Sequence, residues 1–241
     1  MMLRQKLYSA GLLIYCSLFT VGNFQKGSSS KTKIVTANNT IYNDTIVSQT
    51  PILPLAGLDL NQTALQFAKE YVKKNIWDLE ELKKTIHSKF SVINSVFSKY
   101  DIPPELKYLA IVESNLDTDT ACSSAGARGI WQLMPVTACE LGLKITDTVD
   151  ERLYVYKSSA AAAKYLKQLY AEFGDWLLVL AAYNSGPAKV NRAIDLSGYH
   201  TFWQLQNFLP AETRNHVKRF VSMLYFFEGQ NKATDLLMGR L

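Results

Sequence analysis

The chain has 241 residues, of which 48% are hydrophobic and 20% charged, and it carries a net charge of +5. This composition excludes a wholly disordered chain and is typical of one sizeable globular domain with additional segments. The positive excess would suit an anionic polymer such as nucleic acid or cell wall, but it is small and evenly spread, so plain solubility is the simpler interpretation.

The first segment, residues 1–22, has the pattern of an export signal. Arg4 and Lys6 precede an uncharged run from Leu7 to Val21, and Gly22 provides a small residue near the expected cleavage point. The run is shorter than the ~20 residues of a membrane-spanning helix, which leaves an uncleaved anchor as the alternative. We therefore predict a signal peptide, with membrane association through the N-terminus as the other outcome.

Polar residues dominate the next segment, residues 23–60, which is rich in Ser, Thr and Asn and has no sustained apolar period. This pattern predicts a disordered tether. Beyond it, "LNQTALQFAKEYVKKN" and "DLEELKKTIHSKFSVINSVFSKY" repeat apolar residues at helical spacing, and convincing strand patterns are absent. We expect an all-α protein, with N-terminal helices over residues 61–102, a main helical domain over 103–230 and a tail over 231–241.

A new helix is predicted to start at Pro103 and Pro104, with Asp101 as its cap. Leu106, Leu109, Ala110 and Glu113 share one face of this helix, and apolar residues fill most of its remaining surface. The helix should therefore be buried almost all round, with Glu113 leaving the core where the helix ends.

Residues that favour helix starts and helix ends mark the later helices in the sequence. One should begin at Pro135 and stop at Gly142, and an alanine-rich helix should be capped by Ser158 and end at Gly174. The apolar run from Trp176 to Ser185 is closed by Gly and Pro, and a last helix is expected from about Glu212 to Phe227.

Glu113 is the candidate acid. Burial disfavours the charged form of a carboxyl, which suits a general acid, and glycosidic cleavage requires one. The alternative is a core glutamate paired with an arginine or with backbone. The turn "CSSAGARGIWQLMP" follows, with glycines that allow close backbone approach and with Gln132, an amide able to bind a sugar. Farther on, "AAYNSGP" places Tyr183 and Asn184 at what should be an exposed helix terminus.

Together the blocks "ELKYLAIVESNL", "SSAGARGIWQLMP", "LAAYNSGPAKV" and "LPAETRNHV" resemble the lytic transglycosylases of the soluble and membrane-bound D types. These share a goose-lysozyme-like helical domain, and the resemblance covers roughly residues 65–228. It implies an enzyme that cleaves peptidoglycan glycan strands between N-acetylmuramic acid and N-acetylglucosamine without consuming water. It implies Glu113 as the single acid and base, with a 1,6-anhydro product and with no metal or cofactor.

The resemblance also implies a set of sugar-binding residues. Ser123, Gln132 and Met134 would line the sugar groove, and the Tyr183 hydroxyl would bind the catalytic carboxyl or the N-acetyl group, followed by Asn184. Core packing remains an alternative for Met134, as it does for Trp131, and a helix C-cap is the alternative for Asn184.

Glu212 matches the acid of the family's E-T-R block, as a support residue or simply as an acid favoured by the helix dipole. Two features depart from the family pattern. His216 stands where many relatives carry Tyr, and Cys122 lies beside Ser123 in a loop that is one residue longer than in the soluble type.

Competing interpretations are a lysozyme-like hydrolase and an inactive wall-binding scaffold. The hydrolase would need a further acid, for which Asp117 and Asp119 are candidates. Export would leave Cys122 and Cys139, either as a disulfide or as two buried thiols. We expect a monomer in the periplasm or cell envelope of a Gram-negative bacterium, with no nucleic acid partner.

Overall fold

The computed structural model describes the backbone of residues 62–118 and 122–237, and the side chains of residues 65–118 and 122–229. The predicted signal peptide and tether, and the candidate acid Asp119, lie outside these ranges. Within them all regular structure is helical and no strand forms, which confirms the all-α fold class. The helices are α1 (Gln62–Thr85), α2 (His87–Lys99), α3 (Leu109–Ser114), α4 (Pro135–Glu140), α5 (Val155–Phe173), α6 (Trp176–Ser185), α7 (Pro187–Ser197), α8 (Phe202–Leu205) and α9 (Ala211–Leu237), with short 3₁₀ turns at Pro104–Tyr108, Glu151–Leu153 and Gln206–Phe208.

Helix α6 lies at the centre of the fold. Every residue from Leu177 to Ser185 is buried, as its uniformly apolar sequence predicts, and α5, α7 and α9 pack around it. Asp175 begins the helix by accepting a hydrogen bond from the Leu178 N–H at 2.9 Å. The helix ends at Ser185, where Gly186 adopts a φ of 85°.

Helix α1 packs along α9. The first predicted apolar pattern ends at Asn75, and the backbone there is non-helical, with φ −113° and ψ 16°. Asn75 Nδ2 donates to the Tyr71 carbonyl at 2.7 Å, and the helix then resumes as far as Thr85. A side chain that competes for a backbone acceptor in this way bends a helix without ending it.

Two of the predicted caps are wrong. Asp101 has a φ of 55° and lies 3.5 Å from Lys167 Nζ, while Pro103 occupies the N-cap of the 3₁₀ turn that precedes α3. Ser158 lies inside α5, because the helix starts at Val155 and the Ser158 hydroxyl donates to the Tyr154 carbonyl at 3.0 Å. A serine can return its hydroxyl to the preceding turn of a helix, so its presence alone does not mark a helix start.

Helix α9 continues to Leu237, with non-helical backbone at Gly229. Its first turns bring the E-T-R-N-H block against α3 and α6. In the part of the chain that the structure describes, no helix is both long and apolar enough to cross a lipid bilayer.

Candidate active site

Glu113 comes from the last turn of α3, and its side chain is 8% exposed. The helix stops there because Asn115 and Leu116 adopt left-handed backbone, with φ values of 53° and 60°. The Ser114 hydroxyl donates to the Ile130 carbonyl at 2.9 Å and so ties the end of the helix to the following loop. The predicted position of the acid, at the mouth of a buried helix, is confirmed.

The partner of Glu113 is His216 on α9. Its Nε2 lies 2.9 Å from Glu113 Oε1, and the His216 side chain is 2% exposed. The other ring nitrogen, Nδ1, is buried and has no hydrogen-bond partner among the described residues. Sequence reasoning noted His216 only as a departure from the family pattern and missed this role. The departure was the only signal available.

The loop after α3 makes a tight turn around Ser123. The Ala127 N–H donates to Ser123 Oγ at 2.9 Å, and the Gly126 N–H donates to the Ser123 carbonyl at 2.8 Å. Gln132 follows with a φ of 45°, a conformation that residues other than glycine rarely adopt and that is common at ligand sites. Its Nε2 donates to the Gly129 carbonyl at 2.9 Å, which leaves Oε1 as the end of the amide that can meet a ligand.

A buried ion pair holds this loop in place. Arg152 Nη1 donates to the carbonyls of Gly126 and Leu133 at 2.7 and 3.0 Å. Its Nη2 pairs with Asp150 at 2.8 Å, and the two side chains are only 5% and 10% exposed. Hydrogen bonding from Arg152 is the main reason why the pKa of Asp150 lies below its usual value. Neither residue carries a sequence signal that would have placed it under the loop.

Trp131 and Tyr183 join the loop to α6. Trp131 is fully buried, which confirms the core-packing interpretation, and its Nε1 donates to Ser159 Oγ at 2.9 Å. The Tyr183 hydroxyl donates to the Trp131 carbonyl at 2.8 Å and not to the catalytic carboxyl, while the alternative partner, the N-acetyl group of the substrate, stays a prediction. Burial, and then the charge of Glu113, raise the pKa of Tyr183 well above 10.0, which keeps the phenol neutral.

The remaining predicted residues lie in three different settings. Asn184 is 7% exposed within α6, so the expected exposed terminus is wrong, and Gly186 rather than Asn184 is the C-cap. The Asn184 amide forms no side-chain hydrogen bond with the described residues. Met134 is half-buried at the N-cap of α4. Glu212 is exposed in the first turn of α9, where it fits the helix-dipole interpretation better than a support role.

Cys122 and Cys139 are both free and exposed, so neither a disulfide nor a pair of buried thiols describes them. The candidate acid Asp117 is exposed in the turn after α3. Within residues 62–118 and 122–237, no group of three or more His, Cys, Asp or Glu side chains is placed to hold a metal ion. The described side chains at this site include the Glu113 carboxyl, the His216 imidazole, the Gln132 and Asn184 amides and the Tyr183 phenol.

The fold is that of a lytic transglycosylase domain. A solved structure of an inactive mutant of lytic transglycosylase Slt from Pseudomonas aeruginosa superposes with a TM-score of 0.52 and 24% identity, over 59% of this chain and 24% of that one. Residues 91–206 match the model of the transglycosylase SLT domain. This match covers just under half of the chain, and this part of the chain is similar to that family.

The same relationship appears in named relatives. The membrane-bound lytic murein transglycosylase D proteins of Escherichia coli strains K12 and O6:H1 are each 43% identical over 130 residues. That alignment covers 52% of this chain and 28% of each relative, so the chain spans less than a third of their length. The resemblance to the membrane-bound D type is confirmed for the aligned part.

Asp150→Asn is expected to lower the free energy of unfolding by about 3 kcal/mol at neutral pH, because it leaves the buried Arg152 guanidinium without its counter-ion. The folded-state pKa of Asp150 lies below the ordinary value of 3.8, so the stabilisation is complete above that value and is lost as the pH falls through the folded-state value.

Urea unfolding measured between neutral and acidic pH checks this prediction. The difference between wild type and Asp150→Asn should shrink as the pH falls. Asp147→Asn, which changes an exposed acid in the same loop, is the matched control and should change the free energy of unfolding little. Equal, pH-independent losses in both variants would contradict the prediction.

Proposed function

We propose that this protein is a peptidoglycan lytic transglycosylase that cleaves the bond between N-acetylmuramic acid and N-acetylglucosamine and leaves 1,6-anhydro ends. The observation that carries the proposal is Glu113. It is a mostly buried carboxyl at the end of a core helix in a transglycosylase SLT domain, and its only hydrogen bond with the described residues is to His216. The named relatives, lytic murein transglycosylases, support the same substrate class.

In the proposed first step, protonated Glu113 gives its proton to the glycosidic oxygen, so the leaving N-acetylglucosamine departs as an alcohol. Positive charge then develops at C1 of the muramoyl sugar. In the second step the Glu113 carboxylate takes the proton of the C6 hydroxyl, and that oxygen bonds to C1. The carboxyl ends the cycle protonated, as it began. No water is added and no second carboxylate is required.

The other predicted residues are proposed to bind the glycan. Among the described residues the Asn184 amide and the Gln132 amide oxygen have no side-chain hydrogen-bond partner, and both lie on segments joined through Trp131 and Tyr183. Amides of this kind recognise the hydroxyl and N-acetyl groups of sugars. Ser123 and Met134 lie on the same loop and complete the proposed sugar-binding set. Because peptidoglycan lies in the cell envelope, we also propose an envelope location.

Mass analysis of purified peptidoglycan digested with the protein tests the proposal. A lyase yields muropeptides with anhydro ends, which are lighter by one water than the reducing-end products of a hydrolase. Anhydro products that increase with enzyme concentration are the expected result. Reducing ends would assign the hydrolase instead, and an unchanged digest would assign a wall-binding scaffold.

A further inference from the structure

The bond between Glu113 and His216 constrains both oxygens of the carboxyl. Oε1 lies 2.9 Å from His216 Nε2 and forms a hydrogen bond with it, and both side chains are almost fully buried. Oε2 forms no hydrogen bond with the described residues. It is not fully buried, so it keeps contact with solvent. The two oxygens of this carboxyl are therefore not equivalent.

The state of the imidazole follows from its other nitrogen. Nδ1 is buried without a partner among the described residues, so a proton there would leave a donor unsatisfied. The favoured tautomer therefore carries its proton on Nε2, leaves Nδ1 bare and donates to Glu113 Oε1.

This donor arrangement suits Glu113 in both of its protonation states. A carboxylate oxygen accepts an N–H, and so does the carbonyl oxygen of a protonated carboxyl. The Nε2–H can therefore stay on Oε1 throughout, and the exchangeable proton is confined to Oε2, the oxygen open to substrate. A carboxyl that gives a proton to one atom and takes a proton from another reacts faster when the same oxygen, held in a fixed orientation, performs both transfers.

We propose that His216 is a positioning residue that holds Oε1 of Glu113 as a permanent acceptor and assigns the acid and base steps to Oε2. This inference rests on the proposed function, which it deepens by naming the oxygen that reacts. Tyr183, the titratable group on which the charge of Glu113 acts, does not compete for Oε1. The Tyr183 hydroxyl is committed to the Trp131 carbonyl, and Tyr165 packs against the Tyr183 ring.

Kinetics of His216→Phe and His216→Gln test the role. Phenylalanine fills a similar volume without a donor, and we expect kcat to fall about 10²-fold with KM changed less than about threefold. Glutamine retains an N–H donor and should recover kcat to within about tenfold of wild type. Val217→Ala, a cavity in the buried neighbour on α9, is the control for destabilisation and should leave kcat unchanged below its melting temperature.

The tautomer can be read independently of activity. The chain has three histidines, and the other two, His87 and His200, are exposed, so ¹⁵N-histidine NMR should give a resolved His216 ring that disappears in His216→Phe. The expected ring is protonated at Nε2 and bare at Nδ1. A proton on Nδ1, an unchanged kcat in His216→Phe, or equal losses in the Phe and Gln variants would overturn the inference. A wild-type protein inactive on peptidoglycan but with the expected tautomer would instead refute the proposed function.

Discussion

Glu113→Gln should lower the rate of peptidoglycan cleavage by about 10³-fold, because an amide cannot donate the proton that the leaving sugar needs or take the C6 proton in the second step. The fold should survive the change. Glutamine has nearly the volume of glutamate, and its carbonyl oxygen can still accept a hydrogen bond from His216 Nε2. Release of soluble muropeptides under single-turnover conditions measures the loss.

Glu140→Gln provides the matched control for this variant. It makes the same chemical change at an exposed acid at the end of α4, and its rate should stay within about twofold of wild type. A Glu113→Gln protein that is folded by circular dichroism yet retains more than about a tenth of the wild-type rate would show that another group supplies the proton.

Gly129→Ala should lower the free energy of unfolding by at least about 3 kcal/mol and abolish activity with it. Gly129 has a φ of 78°, and a Cβ built there would lie 2.1 Å from the Arg152 carbonyl oxygen and 2.9 Å from its carbonyl carbon. The atoms that this Cβ would meet are all backbone atoms, so no flexible side chain can move away to make room. The loop that carries Gln132 would have to shift off Arg152.

Gly174→Ala separates this clash from the cost of left-handed backbone. Gly174 has a φ of 65°, ends α5, and has no atom within 4 Å of the position where a Cβ would lie. The Gly174→Ala variant should have a free energy of unfolding about 1 kcal/mol lower than wild type and should retain full activity. Thermal and urea unfolding of the two variants side by side measure the difference, and equal losses would show that the contact with Arg152 costs nothing.

Local signals in the sequence predicted the parts of this fold that depend on neighbouring residues. Gly174 and Gly186 end helices where expected because their positive φ values are a property of the residue itself. Glu113 emerges at the end of a buried helix as the apolar run before it predicts, although Leu106 lies in the preceding 3₁₀ turn and only Leu109 and Ala110 share α3 with the acid.

The contacts that complete the site join residues far apart in the sequence. His216 lies 103 positions from Glu113, and Arg152 lies 26 and 19 positions from the carbonyls that it binds. Helical periodicity says nothing about such pairs. The family resemblance implied the catalytic carboxyl or the N-acetyl group as the partner of Tyr183, and it gave no sign that the hydroxyl donates to a backbone carbonyl, which no side-chain motif records.

The expected exposed end of α6 is wrong for a related reason. Pro187 is typical of a residue that follows a helix end, but it also begins α7, which packs back onto α6. Proline is favoured in the first turn of a helix because it lacks only an N–H that would have no partner there. The second helix therefore forms directly at the turn, consistent with the burial of Asn184.

Digestion of peptidoglycan in heavy-oxygen water tests the central claim most directly, since the claim is that Glu113 drives an internal ring closure rather than the attack of water. The account predicts anhydro products that contain no label, because the C6 oxygen of the sugar itself closes on C1. Label at C1 of the new ends would mean that water is the nucleophile, and it would contradict the lyase mechanism.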